Sequence, residues 1–146
     1  MDNLPRCDFE GKNLVWKMET TIEARTEAIA PLVDGIMQVV ETMQCAKGKE
    51  IEAQTALTEA LANAVVHGAG NDPKKQVECC VACDAERGLL IIVRDPGAGF
   101  DPAQVPNPVV GQNIFSTHGR GIFLINRLVD DVHYEKGGTE IHMRIH

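Results

Sequence analysis

The feature that most constrains the fold is a helical pattern over residues 49–67, whose apolar face is built largely from small side chains. The residues of that face recur at helical spacing: Ala53, Ala56, Leu57, Ala60, Leu61 and Ala64. Because several of them are alanines, the helix can lie close to a sheet. Beside this face runs a polar stripe of Glu59, Asn63 and His67, four residues apart. The stripe falls at the edge of the predicted helix–sheet contact, where a pocket can open.

The patterns around this helix predict an α+β two-layer sandwich with a mixed, mostly antiparallel sheet covered on one face by helices. Pro31 falls inside the first helical pattern and predicts a kink or a late start. A glycine-rich segment at 68–73 ends the second helix. The predicted elements are a strand at 13–19, helices within 22–43 and 49–67, strands at 76–83 and 89–94, a helix at 121–129, and strands at 131–135 and 139–145.

The bulk composition is that of one domain spanning residues 1–146, with 44% hydrophobic residues available for a core. The formal net charge of -7 argues against direct binding to nucleic acid or to an anionic membrane surface. The sequence shows no secretion signal and no apolar run near the ~20 residues of a membrane-spanning helix. We therefore expect a cytoplasmic protein.

The cysteines do not predict a disulfide framework. Cys80 and Cys83 form a CxxC pattern, but in a strand residues three apart point to opposite faces, which suits no shared metal. No second Cys/His pair follows at zinc-site spacing. We expect small, buried thiols and rank a metal or redox role last. The cysteines are Cys7, Cys45, Cys79, Cys80 and Cys83.

Two of the stripe residues could carry chemistry. Asn63 offers a neutral oxygen to a hard cation such as Mg²⁺, and Glu59 could accept a proton from an attacking hydroxyl or water. Taken alone, the same stripe is more typical of the solvated flank of an amphipathic helix.

Asp95 ends the apolar run 89–93 and opens a glycine loop. A carboxylate at a strand end can accept a hydrogen bond from an exocyclic amine such as that of adenine, and Gly97 and Gly99 allow the backbone to approach a ligand closely. An Asp-Pro-Gly sequence is also a common turn, so this loop alone leaves both interpretations open.

A second glycine pair, Gly119 and Gly121, stands at the start of a predicted helix. Free N–H groups there can hold phosphate, and Arg120 adds positive charge. The preceding irregular segment is rich in proline and glycine. We predict that it forms a lid over the site, at about residues 101–120. The Walker pattern is absent.

In this order the segments 58–68, 95–100, 119–132 and Gly138-Thr139 resemble the GHKL (Bergerat-fold) ATPase superfamily. Within it they resemble the small anti-sigma factor serine/threonine kinases of the RsbW and sporulation AB type. The resemblance implies the histidine-kinase-like ATPase fold.

The resemblance also implies a role for each matching residue. Glu59 would be the general base and Asn63 the Mg²⁺ ligand, while Asp95 would bind the adenine amine with support from Thr139. His67 has no assigned role. The remaining implied nucleotide contacts are Gly97 and Gly99 beside adenine, and Gly119, Arg120 and Gly121 beside the phosphates.

The implied activity is transfer of phosphate from Mg-ATP to a STAS-domain anti-anti-sigma protein, leaving ADP, with a sigma factor as a second partner. Homodimerisation is expected from the resemblance alone. One alternative is a nucleotide-dependent switch without kinase activity. Glu59 favours the enzyme, whereas the weakly basic lid favours the switch. A detached histidine-kinase catalytic domain is a third option, although the chain has no dimerisation helix with a phosphoacceptor histidine.

Overall fold

The computed structural model describes residues 11–97 and 117–146, which form a five-stranded sheet in the order β1-β2-β3-β5-β4 and three α-helices. Every described strand pairing is antiparallel. The predicted α+β sandwich is therefore confirmed, and its sheet is antiparallel throughout these residues. The strands are β1 Leu14–Glu23, β2 Gln76–Asp84, β3 Gly88–Arg94, β4 Asp131–Glu135 and β5 Glu140–Ile145; the helices are α1 Ile29–Met43, α2 Glu50–Asn63 and α3 Thr117–Leu128.

The core lies between the helices and one face of the sheet. All six residues of the predicted apolar face of α2 are buried. Because successive strand residues point to opposite faces, alternate residues of β2, β3 and β5 complete the core. These are Val77, Cys79, Val81 and Cys83, then Leu89, Ile91 and Val93, then Ile141, Met143 and Ile145.

Three predicted boundaries are corrected. Ile22, which fits the helical spacing of the first helix, belongs to β1. The helix itself begins at Ile29, so Pro31 lies in its first turn and marks a late start rather than a kink. Thr117 begins α3, four residues before the predicted start.

The regular part of α2 also stops earlier than its sequence pattern suggests. It ends at Asn63 and is followed by a π-helical turn, Ala64–Gly68. The Ala69 N–H donates to the Ala64 carbonyl at 2.8 Å, five residues back. Such turns insert one extra residue into a helix and are frequent at functional sites.

The described cysteines are buried as predicted, but among them only Cys79 is a free thiol. The prediction of thiols is wrong for the other three: Cys80 is disulfide-bonded, and Cys45 and Cys83 are joined in a disulfide with a Cα–Cα distance of 5.5 Å. The segment after α1 lies over the core face of β2 and brings the two residues together. As expected, Cys80 lies on the opposite face from Cys83. Burial raises the pKa of Cys79 to about 12, which keeps that residue a thiol at neutral pH.

The other face of the sheet, hereafter the open face, carries no described helix. A small apolar cluster at its centre contains Cys80, Ala82, Leu90 and Ile92. Charged residues of β2, β3, β4 and β5 lie to one side of it. Among the described helices, none has the length and apolar character needed to cross a membrane.

Candidate functional site

The structure brings Glu59, Asn63 and Gly121 together where α2 packs against α3. A β-carbon placed on Gly121 would lie 3.0 Å from Nδ2 of Asn63 and 3.1 Å from Oε2 of Glu59. Since ordinary carbon contacts are about 3.5–4.0 Å, a glycine is what permits this approach. The bare backbone of α3 therefore covers the acid and the amide of α2.

Glu59 and Asn63 are half-buried. Within the described residues, neither side chain forms a hydrogen bond or an ion pair. Polar groups removed from water usually have partners, so this pair is poised for a ligand or for solvent. The solvated-flank interpretation fits His67 better, because His67 is exposed and lies in the π-helical turn.

Asp95 forms a second centre with two glycines. Its backbone N–H donates to the Thr139 carbonyl at 2.9 Å, and its Oδ1 accepts a hydrogen bond from the Gly97 N–H at 2.8 Å. A β-carbon on Gly68 would overlap Cγ of Asp95, and one on Gly97 would overlap the Gly68 carbonyl oxygen. The carboxylate is thus fixed between the end of the α2 segment and the loop after β3.

The second carboxylate oxygen of Asp95 remains available. Among the described residues, no donor bonds to Oδ2 of Asp95. Burial raises the pKa of Asp95, and the hydrogen bond from Gly97 opposes that effect without cancelling it. A half-buried acceptor with a free oxygen can bind an amine donor of a ligand.

Thr139 contacts Asp95 through its own backbone carbonyl. Its hydroxyl donates to the Lys136 carbonyl at 2.9 Å and so closes the turn between β4 and β5. Its carbonyl holds the Asp95 N–H. The structure therefore gives Thr139 a positioning contact with Asp95, and the predicted contact of its hydroxyl with a ligand stays a prediction.

The glycine pair before the third helix is placed differently from its prediction. Both residues lie inside α3, which begins at Thr117. The first four N–H groups of a helix lack internal partners, and those of Gly119 and Arg120 are among them. Gly121 is the fifth residue, so its contribution here is the close approach to α2.

Several predicted contacts lie outside the described residues. These are Gly99 and the lid up to residue 116, together with the side chain of Arg120. A cavity of about 210 Å³ adjoins Asp95 and Thr139, but it opens between the ends of β2, β3 and β5. Its lining includes neither Glu59 nor Asn63. We therefore do not equate that cavity with the predicted site.

The sequence analysis missed an ion-pair network behind Asp95. Arg94 lies 2.5 Å from Glu140 and 3.6 Å from Glu78. These two ion pairs join β3 to β5 and to β2. Burial opposes the charge of Glu140, but hydrogen bonds from Arg94 and His142 prevail and lower the pKa of its carboxyl. Only the strand register, which pairs Arg94 with Glu140, could have revealed the network.

The role of Gly68 was also missed. The sequence marked it only as the end of a helix, yet Gly68 is the residue that Asp95 contacts. The available signal was a glycine five residues after Asn63, at the point where the chain must turn toward the strand ends.

The chain is similar to known proteins over most of its length. The chain matches the histidine kinase-like ATPase domain family over residues 22–145. It is 28% identical over 137 residues to an anti-sigma F factor of Clostridium novyi (strain NT), covering 88% of this chain and 91% of that protein. It is 30% identical over 105 residues to an anti-sigma F factor of Geobacillus kaustophilus (strain HTA426), covering 65% of this chain and 68% of that protein.

Proposed function

The chain belongs to the histidine kinase-like ATPase domain family, and from this membership we propose that it is an anti-sigma regulatory factor with Mg-ATP-dependent protein kinase activity. Its substrate would be a serine or threonine of a STAS-domain anti-anti-sigma protein. The two anti-sigma F factors to which the chain is similar support this proposal. A sigma factor would be the second partner.

The observation that carries the proposal is the pairing of Glu59 with Asn63 under Gly121. An acid and an amide one helical turn apart, half-buried and without partners in the described residues, suit a general base beside a metal ligand. Asn63 would bind Mg²⁺ through its amide oxygen. When bound, the ion would neutralise phosphate charge.

The proposed phosphoryl transfer needs one proton acceptor from the protein, Glu59. As the substrate hydroxyl oxygen bonds to the γ-phosphorus, the Glu59 carboxylate accepts the hydroxyl proton. The bond between the γ-phosphorus and the β–γ bridging oxygen breaks, and ADP leaves with that electron pair. Because this transfer depends mainly on positioning and charge neutralisation, a rigid contact between α2 and α3 is what it requires.

Asp95 would recognise the adenine. Its Oδ1 is held by Gly97, which leaves Oδ2 to accept a hydrogen bond from the exocyclic amine. Gly68 and Gly97 leave no side chain between the carboxylate and the backbone. Nucleotide binding through Asp95 does not depend on Glu59, so a nucleotide-dependent switch without phosphoryl transfer is the alternative function.

The decisive experiment incubates the protein with γ-labelled ATP, Mg²⁺ and the candidate STAS partner. We expect Glu59→Gln to slow phosphoprotein formation at least about 100-fold, the usual scale of a lost general base, with little change in ATP affinity. Glu52→Gln is the matched control, since Glu52 is also half-buried and lies two turns earlier on α2. It should react like the wild type.

The outcomes separate the two functions. Tight ATP binding without any phosphoprotein from the cognate partner would establish the switch and refute the kinase. Equal rates for Glu59→Gln and the wild type would remove Glu59 from the mechanism. Failure of the wild type to bind ATP would overturn the nucleotide site as a whole.

A further inference from the structure

The open face of the sheet carries a cluster of two histidines and two glutamates, away from the helix-covered face. In the pairing of β4 with β5, His133 lies opposite His142 and Glu135 lies opposite Glu140. Residues two apart in a strand share a face, so the four side chains form a compact block. The intervening Tyr134 and Ile141 face the core.

Three of these side chains bring possible ligand atoms close together. Nε2 of His133 lies 2.9 Å from Oε2 of Glu135, and Nε2 of His142 lies 3.7 Å from the same oxygen. The two imidazole rings stack with centroids 4.6 Å apart. One nitrogen from each histidine and one oxygen of Glu135 all lie within 4.8 Å of one another.

We propose that His133, Glu135 and His142 bind a divalent transition-metal ion, with Zn²⁺ the ion that fits best. Zinc binds imidazole nitrogen and carboxylate oxygen at about 2.0–2.2 Å in tetrahedral geometry, which separates two ligand atoms by about 3.4 Å. The observed nitrogen–oxygen distances of 2.9 and 3.7 Å lie on either side of that value. All three ligand atoms lie within 4.8 Å of one another, so side-chain rotations that bring the two imidazole nitrogens closer together would complete the site.

The two glutamates of the cluster differ in their partners. Glu140 is already balanced by Arg94 at 2.5 Å, and Lys136 lies 3.6 Å from the same carboxylate. Within the described residues, the carboxylate of Glu135 contacts only the two histidines, so it is left for a metal ion. Oε1 of Glu140 lies 2.6 Å from Nε2 of His142, the same nitrogen that lies 3.7 Å from Glu135, so a bound ion would replace this contact with Glu140.

The site is accessible from solvent. The side chains of His133 and Glu135 are 56% and 48% exposed, while that of His142 is 20% exposed. A cavity of about 300 Å³ adjoins both histidines and gives room for water at the fourth metal position. Such an open site suits reversible binding of an ion.

Metal binding would act on the hairpin that supports Asp95. The ligands come from both strands flanking the turn Lys136–Gly138, and Thr139 follows that turn. A metal joining β4 to β5 would fix this hairpin in the folded state. Since a ligand that binds only the folded chain stabilises it, Zn²⁺ should raise the melting temperature.

The test uses the full-length chain without an affinity tag and without nucleotide. Calorimetric titration with Zn²⁺ should give one ion per chain, and the melting temperature should rise. His133→Ala, His142→Ala and Glu135→Gln should each weaken binding at least about tenfold and abolish most of the thermal shift. His146→Ala, which removes an exposed histidine elsewhere, is the control and should bind like the wild type.

Circular dichroism without zinc would first establish that each variant is folded. If an alanine variant is unfolded, the near-isosteric Glu135→Gln still gives a decisive test. Absence of Zn²⁺ binding by the wild type would overturn the proposal. So would unchanged affinity in folded His133→Ala or Glu135→Gln, because the ion would then be bound by other residues. Neither result bears on the phosphoryl transfer proposed above, because its base and its metal ligand, Glu59 and Asn63, lie on α2.

Discussion

Substitution of Gly121 by alanine tests whether α3 packs closely over Glu59 and Asn63. The added β-carbon would lie 3.0–3.1 Å from side-chain atoms of Asn63 and Glu59. Those side chains must give way by a few tenths of an ångström to restore an ordinary contact of about 3.5 Å. We expect the displacement to fall directly on the proposed metal ligand and base.

The effect on stability has two opposed parts. Replacing an interior helical glycine by alanine stabilises by about 0.5–1 kcal/mol. Overpacking destabilises by about 1–3 kcal/mol. Gly35→Ala isolates the first part, since Gly35 is exposed within α1 and a β-carbon there would meet no atom within 4 Å. Gly121→Ala should therefore be less stable than Gly35→Ala by about 1–3 kcal/mol.

Urea unfolding in the absence of nucleotide measures this difference, and calorimetry measures ATP affinity. We expect Gly121→Ala to bind Mg-ATP about tenfold more weakly, a loss of about 1.4 kcal/mol, while Gly35→Ala binds like the wild type. If the two variants are equally stable and both bind ATP normally, then α3 does not cover Glu59 and Asn63 as described, and the reasoning fails.

Two further perturbations address Asp95 and its surroundings. Asp95→Asn keeps an acceptor for Gly97 but removes a charge-assisted hydrogen bond of about 1.5–3 kcal/mol, so calorimetry should show ATP and ADP bound at least about tenfold more weakly. Burial raises the pKa of Asp95, so its carboxylate should protonate at a higher pH than an ordinary aspartate, whose pKa is about 3.9. The ATP affinity of the wild type should therefore begin to fall above that pH on acidification. Unchanged ATP affinity in Asp95→Asn would exclude the adenine contact. Glu140→Gln should lower the free energy of unfolding by about 2 kcal/mol at neutral pH, since Glu140 is hydrogen-bonded to Arg94. Because the pKa of Glu140 is lowered in the folded state, its contribution to stability is fully present above the pKa of the unfolded state, about 4.3, and is lost as the pH falls through the folded-state pKa. The free energies of unfolding of variant and wild type, measured with urea, should therefore converge in acid. A difference independent of pH would contradict this linkage.

Local periodicity accounts for what the sequence predicted well. The apolar face of α2 follows from helical spacing, and the bounds of β4 follow from alternation and an adjacent glycine turn. Both signals lie within a few residues of the element they specify. The antiparallel sandwich then follows from the order of such elements.

Contacts between distant segments could not be predicted in this way. The pairing of Arg94 with Glu140 depends on the register between β3 and β5, and the disulfide between Cys45 and Cys83 depends on where the segment after α1 crosses the sheet. Ile22 fits a helical spacing by coincidence, and strand pairing with β2 decides its conformation. Each of these outcomes is set by tertiary packing rather than by local sequence.

The π-helical turn shows why the polar stripe of α2 does not act as one unit. A regular helix would carry Glu59, Asn63 and His67 along one line, but the turn Ala64–Gly68 begins directly after Asn63. The extra residue redirects the chain so that Gly68, rather than a side chain, meets Asp95. The distance between the proposed metal ligand and the proposed adenine contact is therefore set by this turn. A change that restored regular α-helix there would leave Glu59 and Asn63 in place and still separate Gly68 from Asp95.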